Sequence, residues 1–149
     1  MPLKDYFQNH SIALGLEATT RDEAIREMVG LLGLDEAGTQ TLVKLARRRE
    51  GLGSTGVGRG IAIPHCRSPL VNQIRLAFGR TVKGIDYQSV DGAPVRFLFL
   101  IVAPPELASQ YLAVLGKIAQ FAKDDDTPGR LAEVNTPEEL LELMEKKGV

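Results

Sequence analysis

The segment Val95-Arg96-Phe97-Leu98-Phe99-Leu100-Ile101-Val102 constrains this chain most, because all but one of its eight residues are apolar. It is far too short to cross a bilayer, which takes about 20 residues. A strand of this composition is buried on both faces. Other parts of the chain must then cover it from two sides, and the spacing of apolar residues elsewhere provides helices to do so. Ala24, Ile25, Met28, Val29, Leu31 and Leu32 have helical spacing over residues 21–33. Thr20 and Glu23 form a capping box for that helix. Leu42, Val43, Leu45 and Ala46 predict a second helix over 36–49, which ends in Arg47-Arg48-Arg49, where cations suit the helix dipole.

Pro104-Pro105-Glu106 opens a long helix with Leu107, Tyr111, Leu112, Leu115, Ile118, Ala119 and Ala122 as its apolar stripe. Asp124-Asp125-Asp126 breaks it, and a short helical piece follows around Leu131. Thr136-Pro137-Glu138-Glu139 reads as a second capping box with proline at the first helical position. It starts a last helix carrying Leu140, Leu141, Leu143 and Met144. Ile61-Ala62-Ile63-Pro64 reads as a short buried strand closed by its proline. Ile74, Leu76 and Phe78 alternate as in a half-buried strand, and Asp91-Gly92 marks a turn. Five helices and three to five strands in mixed order predict an α/β fold, a small mixed β-sheet flanked by helices on both faces. The length of 149 residues fits a single domain over 1–149.

A net charge of −1, from 18 basic and 19 acidic residues, argues against a dedicated nucleic-acid binder. The first residues lack the apolar core of a signal peptide, and no apolar run suits membrane insertion. Cys66 has no second cysteine to pair with. The expectation is a cytoplasmic protein.

Gly51-Leu52-Gly53-Ser54-Thr55-Gly56-Val57-Gly58-Arg59-Gly60 is a loop in which half of the residues are glycine. Its start matches G-x-G-x-x-G, but the dinucleotide fingerprint needs a strand before and a helix after, and here the order is reversed. Gly53 to Gly58 has P-loop spacing, yet Arg59-Gly60 stands where Lys and Ser/Thr should meet phosphate and magnesium. What survives is either a plain turn or a loop of backbone N–H groups suited, with nearby arginines, to an oxyanion.

His65 follows directly. A lone histidine there is most simply a half-buried loop residue, but a neutral ring nitrogen near pH 7 can also act as base, ligand or nucleophile. No metal is expected, since His65-Cys66 offers two adjacent ligands and no cluster at ligand spacing. A Cys66–His65 dyad is poor as well, because neighbours on extended chain point opposite ways. The nucleophile reading gains from Arg49, Ser54, Thr55, Arg59 and Arg67, all within sixteen residues of His65. A transferring phosphoryl group needs donors and cations of that kind. Arg47-Arg48 and Asp124–Asp126 read as solvated, Tyr111 as core or rim, and His10 as surface.

The stretch Arg49-Glu50-Gly51-Leu52-Gly53-Ser54-Thr55-Gly56-Val57-Gly58-Arg59-Gly60-Ile61-Ala62-Ile63-Pro64-His65 resembles the enzyme IIA domain, of the fructose/mannitol/nitrogen type, of the bacterial phosphoenolpyruvate:sugar phosphotransferase system. Gly84-Ile85-Asp86-Tyr87, Val90-Asp91-Gly92-Ala93-Pro94-Val95 and Val102-Ala103-Pro104-Pro105-Glu106 also look like segments of that family. The resemblance implies a phosphotransferase that uses no cofactor. In it His65 is the phosphorylated residue, through Nε2, and Arg49 neutralises the phosphate. Gly53, Ser54 and Thr55 would line the phosphoryl site. The donor would be a histidine-containing phosphocarrier protein; the acceptor would be a IIB domain or a regulatory target.

Two departures stand out. Tyr111 occupies the position where many members carry a second histidine, and Cys66 stands where glycine is usual. With the chain stopping at Val149 and no second histidine, the expectation is a nitrogen-type regulatory enzyme IIA. The alternatives are a sugar-specific enzyme IIA feeding a IIB permease domain, and a binding module that is never phosphorylated.

Overall fold

The computed structural model describes residues 1–149, with the side chains of all except Asn9 and His10. The surface placement expected for His10 thus lies outside the described residues. Six strands form one mixed sheet: β1 (Phe7–Ala13), β2 (Gly56–Gly58), β3 (Ile61–Ala62), β4 (His65–Arg67), β5 (Arg75–Ile85) and β6 (Val95–Ala103). The order across the sheet is β1-β5-β6-β3-β2, and β4 also pairs with β6. β5 and β6 are antiparallel, β1 runs parallel to β5, and β3 and β4 run parallel to β6.

β6 is the buried central strand that its composition demanded. Phe97, Phe99, Ile101 and Ala103 pack on one face with Tyr111, Val114, Ile118 and Phe121 of α3 (Ala108–Lys123), Leu131 of α4 (Thr127–Glu133) and Leu140 of α5 (Pro137–Lys146). Leu98, Leu100 and Val102 pack on the other face with Ile25 and Met28 of α1 (Arg21–Gly30) and Leu42 and Val43 of α2 (Glu36–Gly51). At its start the strand carries a bulge, where the N–H groups of Arg96 and Phe97 both donate to the Gly60 carbonyl, at 2.8 and 2.9 Å. The extra residue shifts the alternation, so Val95 joins the Leu98 face.

Several expectations need correction. β5 is buried on both faces over Leu76–Gly79, because α1 and Leu16 cover the side that Ala77 and Gly79 present. Pro64 does not end the edge. Its carbonyl accepts from Ile101 N–H at 3.0 Å, and pairing with β6 resumes at His65 as β4. The glycine-rich loop contains β2, folded back on β3 through Gly58, Arg59 and Gly60, all at positive φ. β1 was not foreseen, since Gln8, Asn9 and His10 obscure any alternation.

On α3, Leu112 is exposed, and Val114 and Phe121 take buried places that the stripe had not included. A short 3-10 turn at Pro105–Leu107 precedes that helix. The Thr20–Glu23 capping box forms. At α5 only half of it does: Thr136 accepts from Glu139 N–H, whereas the Glu139 carboxylate takes Asn135 N–H. Among the described residues no helix is long and apolar enough to cross a membrane.

Candidate functional site

Pairing with β6 fixes the backbone of β4 and with it the alternation of its side chains. His65 is half-buried on the α3 side, its ring centroid 6.1 Å from that of Tyr111. Cys66 turns to the opposite core, and burial pushes its thiol up to about 12, so it stays protonated. The two therefore form no dyad.

Nδ1 of His65 lies 2.7 Å from the Ile63 carbonyl oxygen. A carbonyl can only accept, so Nδ1 carries the proton and Nε2 keeps its lone pair. Burial above all, with the positive charge of Arg49, holds the imidazole below its ordinary 6.5; the Ile63 hydrogen bond and then the Glu50 charge oppose them. The ring is thus set up as a neutral nucleophile or base.

It lines a groove of about 410 Å³, shared with Arg49, Arg67, Tyr111, Leu112 and Leu115. Among the described residues two arginines and no carboxylate border this space, an arrangement that suits an anion of phosphate geometry. Burial raises the Tyr111 phenol to about 12, which keeps it neutral at the groove wall. Among the described residues no group of three or more His, Cys, Asp or Glu is placed to hold a metal ion.

The glycine-rich loop is anchored from below. Arg49, in the last turn of α2, donates through Nη1 to the Gly53 carbonyl at 2.8 Å. Ser54 Oγ donates to the Tyr87 carbonyl at 2.7 Å and accepts from Gly56 N–H at 3.0 Å. Thr55 is only 4% exposed; its N–H and its hydroxyl both donate to the Glu50 carboxylate.

Arg49, His65, Arg67 and Tyr111 therefore come together, and Gly53 joins them through Arg49. The hydroxyls of Ser54 and Thr55 are committed to the Tyr87 carbonyl and the Glu50 carboxylate. Arg59 is elsewhere, with its guanidinium on Asp125 and on the Lys123 carbonyl, both at 2.6 Å. Glu50 and Tyr87 had been assigned no role, although the Tyr87 hydroxyl also donates to Glu50, at 3.0 Å. A carboxylate directly after Arg49 and five residues before Thr55 was the available signal.

The family model described as "Phosphoenolpyruvate-dependent sugar phosphotransferase system, EIIA 2" matches residues 5–147. A nitrogen regulatory protein of Bradyrhizobium diazoefficiens is 33% identical over 135 residues, covering 88% of this chain and 86% of that protein. The fructose-specific EIIABC component of Bacillus subtilis is 30% identical over 148 residues, covering 97% of this chain but only 23% of that protein. Among solved structures, the nitrogen regulatory protein IIA-Ntr of Neisseria meningitidis superposes with a TM-score of 0.87 at 30% identity, over 94% of this chain and 97% of that one. Enzyme IIA-Mtl of Escherichia coli, in complex with phosphorylated enzyme IIB-Mtl, superposes with a TM-score of 0.77 at 25% identity, over 94% of this chain and 99% of that one.

Proposed function

Because the chain belongs to the EIIA 2 family of the phosphoenolpyruvate-dependent sugar phosphotransferase system, we propose that it is a cytoplasmic phosphoryl carrier and that His65 is its phosphorylated residue. The Nε2 lone pair attacks the phosphoryl group on a histidine of a phosphocarrier protein. A new N–P bond forms as the donor's N–P bond breaks, and the donor imidazole leaves with the electron pair. The His65 proton stays on Nδ1 throughout, donated to the Ile63 carbonyl, and that hydrogen bond stabilises the charge that builds on the ring.

Arg49 and Arg67 face the phosphoryl oxygens, and Tyr111 offers a neutral hydroxyl. Gly53, Ser54 and Thr55 form the loop at the edge of the site; Gly53 places Arg49 through its carbonyl, and the two hydroxyls are held by the Tyr87 carbonyl and the Glu50 carboxylate. The observation that carries this reading is the 2.7 Å contact between Nδ1 and the Ile63 carbonyl, which leaves Nε2 as the nucleophilic nitrogen.

The nitrogen-regulatory role is preferred, because the match to a nitrogen regulatory protein runs along 86% of that relative. The sugar-specific reading, with transfer to a IIB domain, is supported by the fructose-specific relative, of which the matched segment is one part. The test is incubation with phosphoenolpyruvate, enzyme I and phosphocarrier, followed by intact mass. One acid-labile phosphate is expected, and it should be lost in His65→Ala. No mass gain in the wild type favours a binding module; label that persists in His65→Ala excludes the site. Passage of label to a IIB domain separates transport from regulation.

A further inference from the structure

We propose that Glu50 is a positioning residue of the phosphoryl site, holding the glycine-rich loop so that Gly53 in turn fixes Arg49 beside His65. The proposal rests on the phosphocarrier reading and deepens it. Glu50 is only 3% exposed, a rare environment for a carboxylate unless its oxygens are satisfied. Here three donors converge on it. Thr55 N–H reaches Oε1 at 2.8 Å, while Oε2 takes the Thr55 hydroxyl and, at 3.0 Å, the Tyr87 hydroxyl. Among the described residues no cation pairs with it, and these hydrogen bonds satisfy its oxygens.

The three donors come from two segments, which other hydrogen bonds also join. Thr55 lies in the loop after α2, and Tyr87 in the connection between β5 and β6. Ser54 reinforces the same junction through the Tyr87 carbonyl. The loop is therefore clamped at Ser54 and Thr55, one and two residues beyond the Gly53 carbonyl that receives Arg49 Nη1. Glu50 itself belongs to the last turn of α2, directly after Arg49. One turn of helix thus presents a guanidinium to the groove and a carboxylate to the core, and the carboxylate fixes the acceptor that the guanidinium needs. Glutamine in its place can accept at one oxygen, but its NH₂ faces a hydroxyl where an acceptor stood.

The test is a double-mutant cycle on His65 phosphorylation by the phosphocarrier, combined with NMR of the Arg49 guanidinium and the Thr55 amide. Glu50→Gln is expected to slow phosphorylation tenfold or more through kcat, with KM for the donor little changed. In an Arg49→Ala background the same change should slow it less than twofold, because the residue acts through Arg49; general destabilisation would slow both backgrounds equally. In Glu50→Gln, with Arg49 intact, the guanidinium should rotate more freely and the Thr55 amide should exchange faster. A rate within twofold of wild type, an equal loss in both backgrounds, or an unchanged Arg49 signal each overturns the proposal. Should wild-type protein take no phosphate, the functional reading falls, and the NMR signals alone decide whether Glu50 positions Arg49.

Discussion

His65 has one proton to place, and its environment decides where. The Ile63 carbonyl holds it on Nδ1, while burial and the Arg49 charge disfavour a second proton on Nε2. The folded pKa therefore lies below 6.5, and the ring stays neutral as pH falls through that value. NMR titration of the ring should give a midpoint below 6.5; a midpoint at or above it would mean that the site is not desolvated. The same shift acts on stability. Unfolded His65 binds its proton near 6.5 and folded His65 only at lower pH, so the native state loses stability as pH falls from 6.5 through the folded pKa. His65→Asn should remove that loss, measurable as a smaller drop in Tm between neutral and mildly acidic buffer.

Tyr111 makes a contrasting prediction. With its phenol raised to about 12, it cannot change charge over the working range. Tyr111→Phe keeps the ring beside His65 and removes one donor, which should slow phosphorylation roughly 2- to 10-fold, the worth of about one hydrogen bond. The pH profile should keep its shape. Tyr111→His should add a second titration to that profile, and its absence would place residue 111 outside the reach of the phosphoryl group.

At the scale of elements, the same glycine can be a loop residue in one place and a packing requirement in another. Gly79, inside β5, shows the second case. A Cβ there would sit 2.4 Å from Met28 Sδ and 2.6 Å from Leu16 Cδ1. Gly79→Ala should cost about 1–3 kcal/mol, since both neighbours are flexible ends that can give way. At roughly 2–4 °C per kcal/mol for a chain near this size, a fall of several degrees in Tm is the measurable outcome.

That position also shows why β5 reads as half-buried in the sequence. The face carrying Ala77 and Gly79 holds small residues because α1 lies close above it, and small residues carry no hydrophobic signal. Elements whose own side chains fill the core were legible: β6, α1 with its capping box, α2, and α5 from its proline. β4 was hidden by Pro64, whose carbonyl still accepts from β6 although its nitrogen cannot donate. β1 was hidden by polar residues, its pairing to β5 being a property of the backbone. The site was legible where a reactive side chain announced itself, at His65 and Arg49. The roles of Tyr87 and the Ser54 hydroxyl depend on contacts between residues 37 and 33 positions apart, which no local pattern records.

For the molecule as a whole, the decisive feature is that one strand pair serves two cores. Phe99 packs tilted against Phe78 and edge-to-face against Phe121, with centroids at 4.9 and 6.0 Å, on the α3 face. Leu100, its neighbour, is equally buried in the opposite cluster under α1 and α2. Neither core can come apart without exposing a face of β6, so we propose that residues 1–149 unfold as one cooperative unit. Phe99→Ala should cost about 3–5 kcal/mol and Leu100→Ala about 2–5 kcal/mol, from lost burial plus the cavity left behind.

Both variants should melt in a single transition, seen at the same temperature by an Ile118 methyl on one face and the Met28 methyl on the other. If Phe99→Ala lowered the midpoint at Ile118 while Met28 kept the wild-type value, the two faces would be separate folding units. The site would then have an unequal foundation, since Tyr111 stands on the α3 face and Arg49 on the helix that covers the other. A common midpoint means that the groove between them keeps its shape for as long as the sheet does.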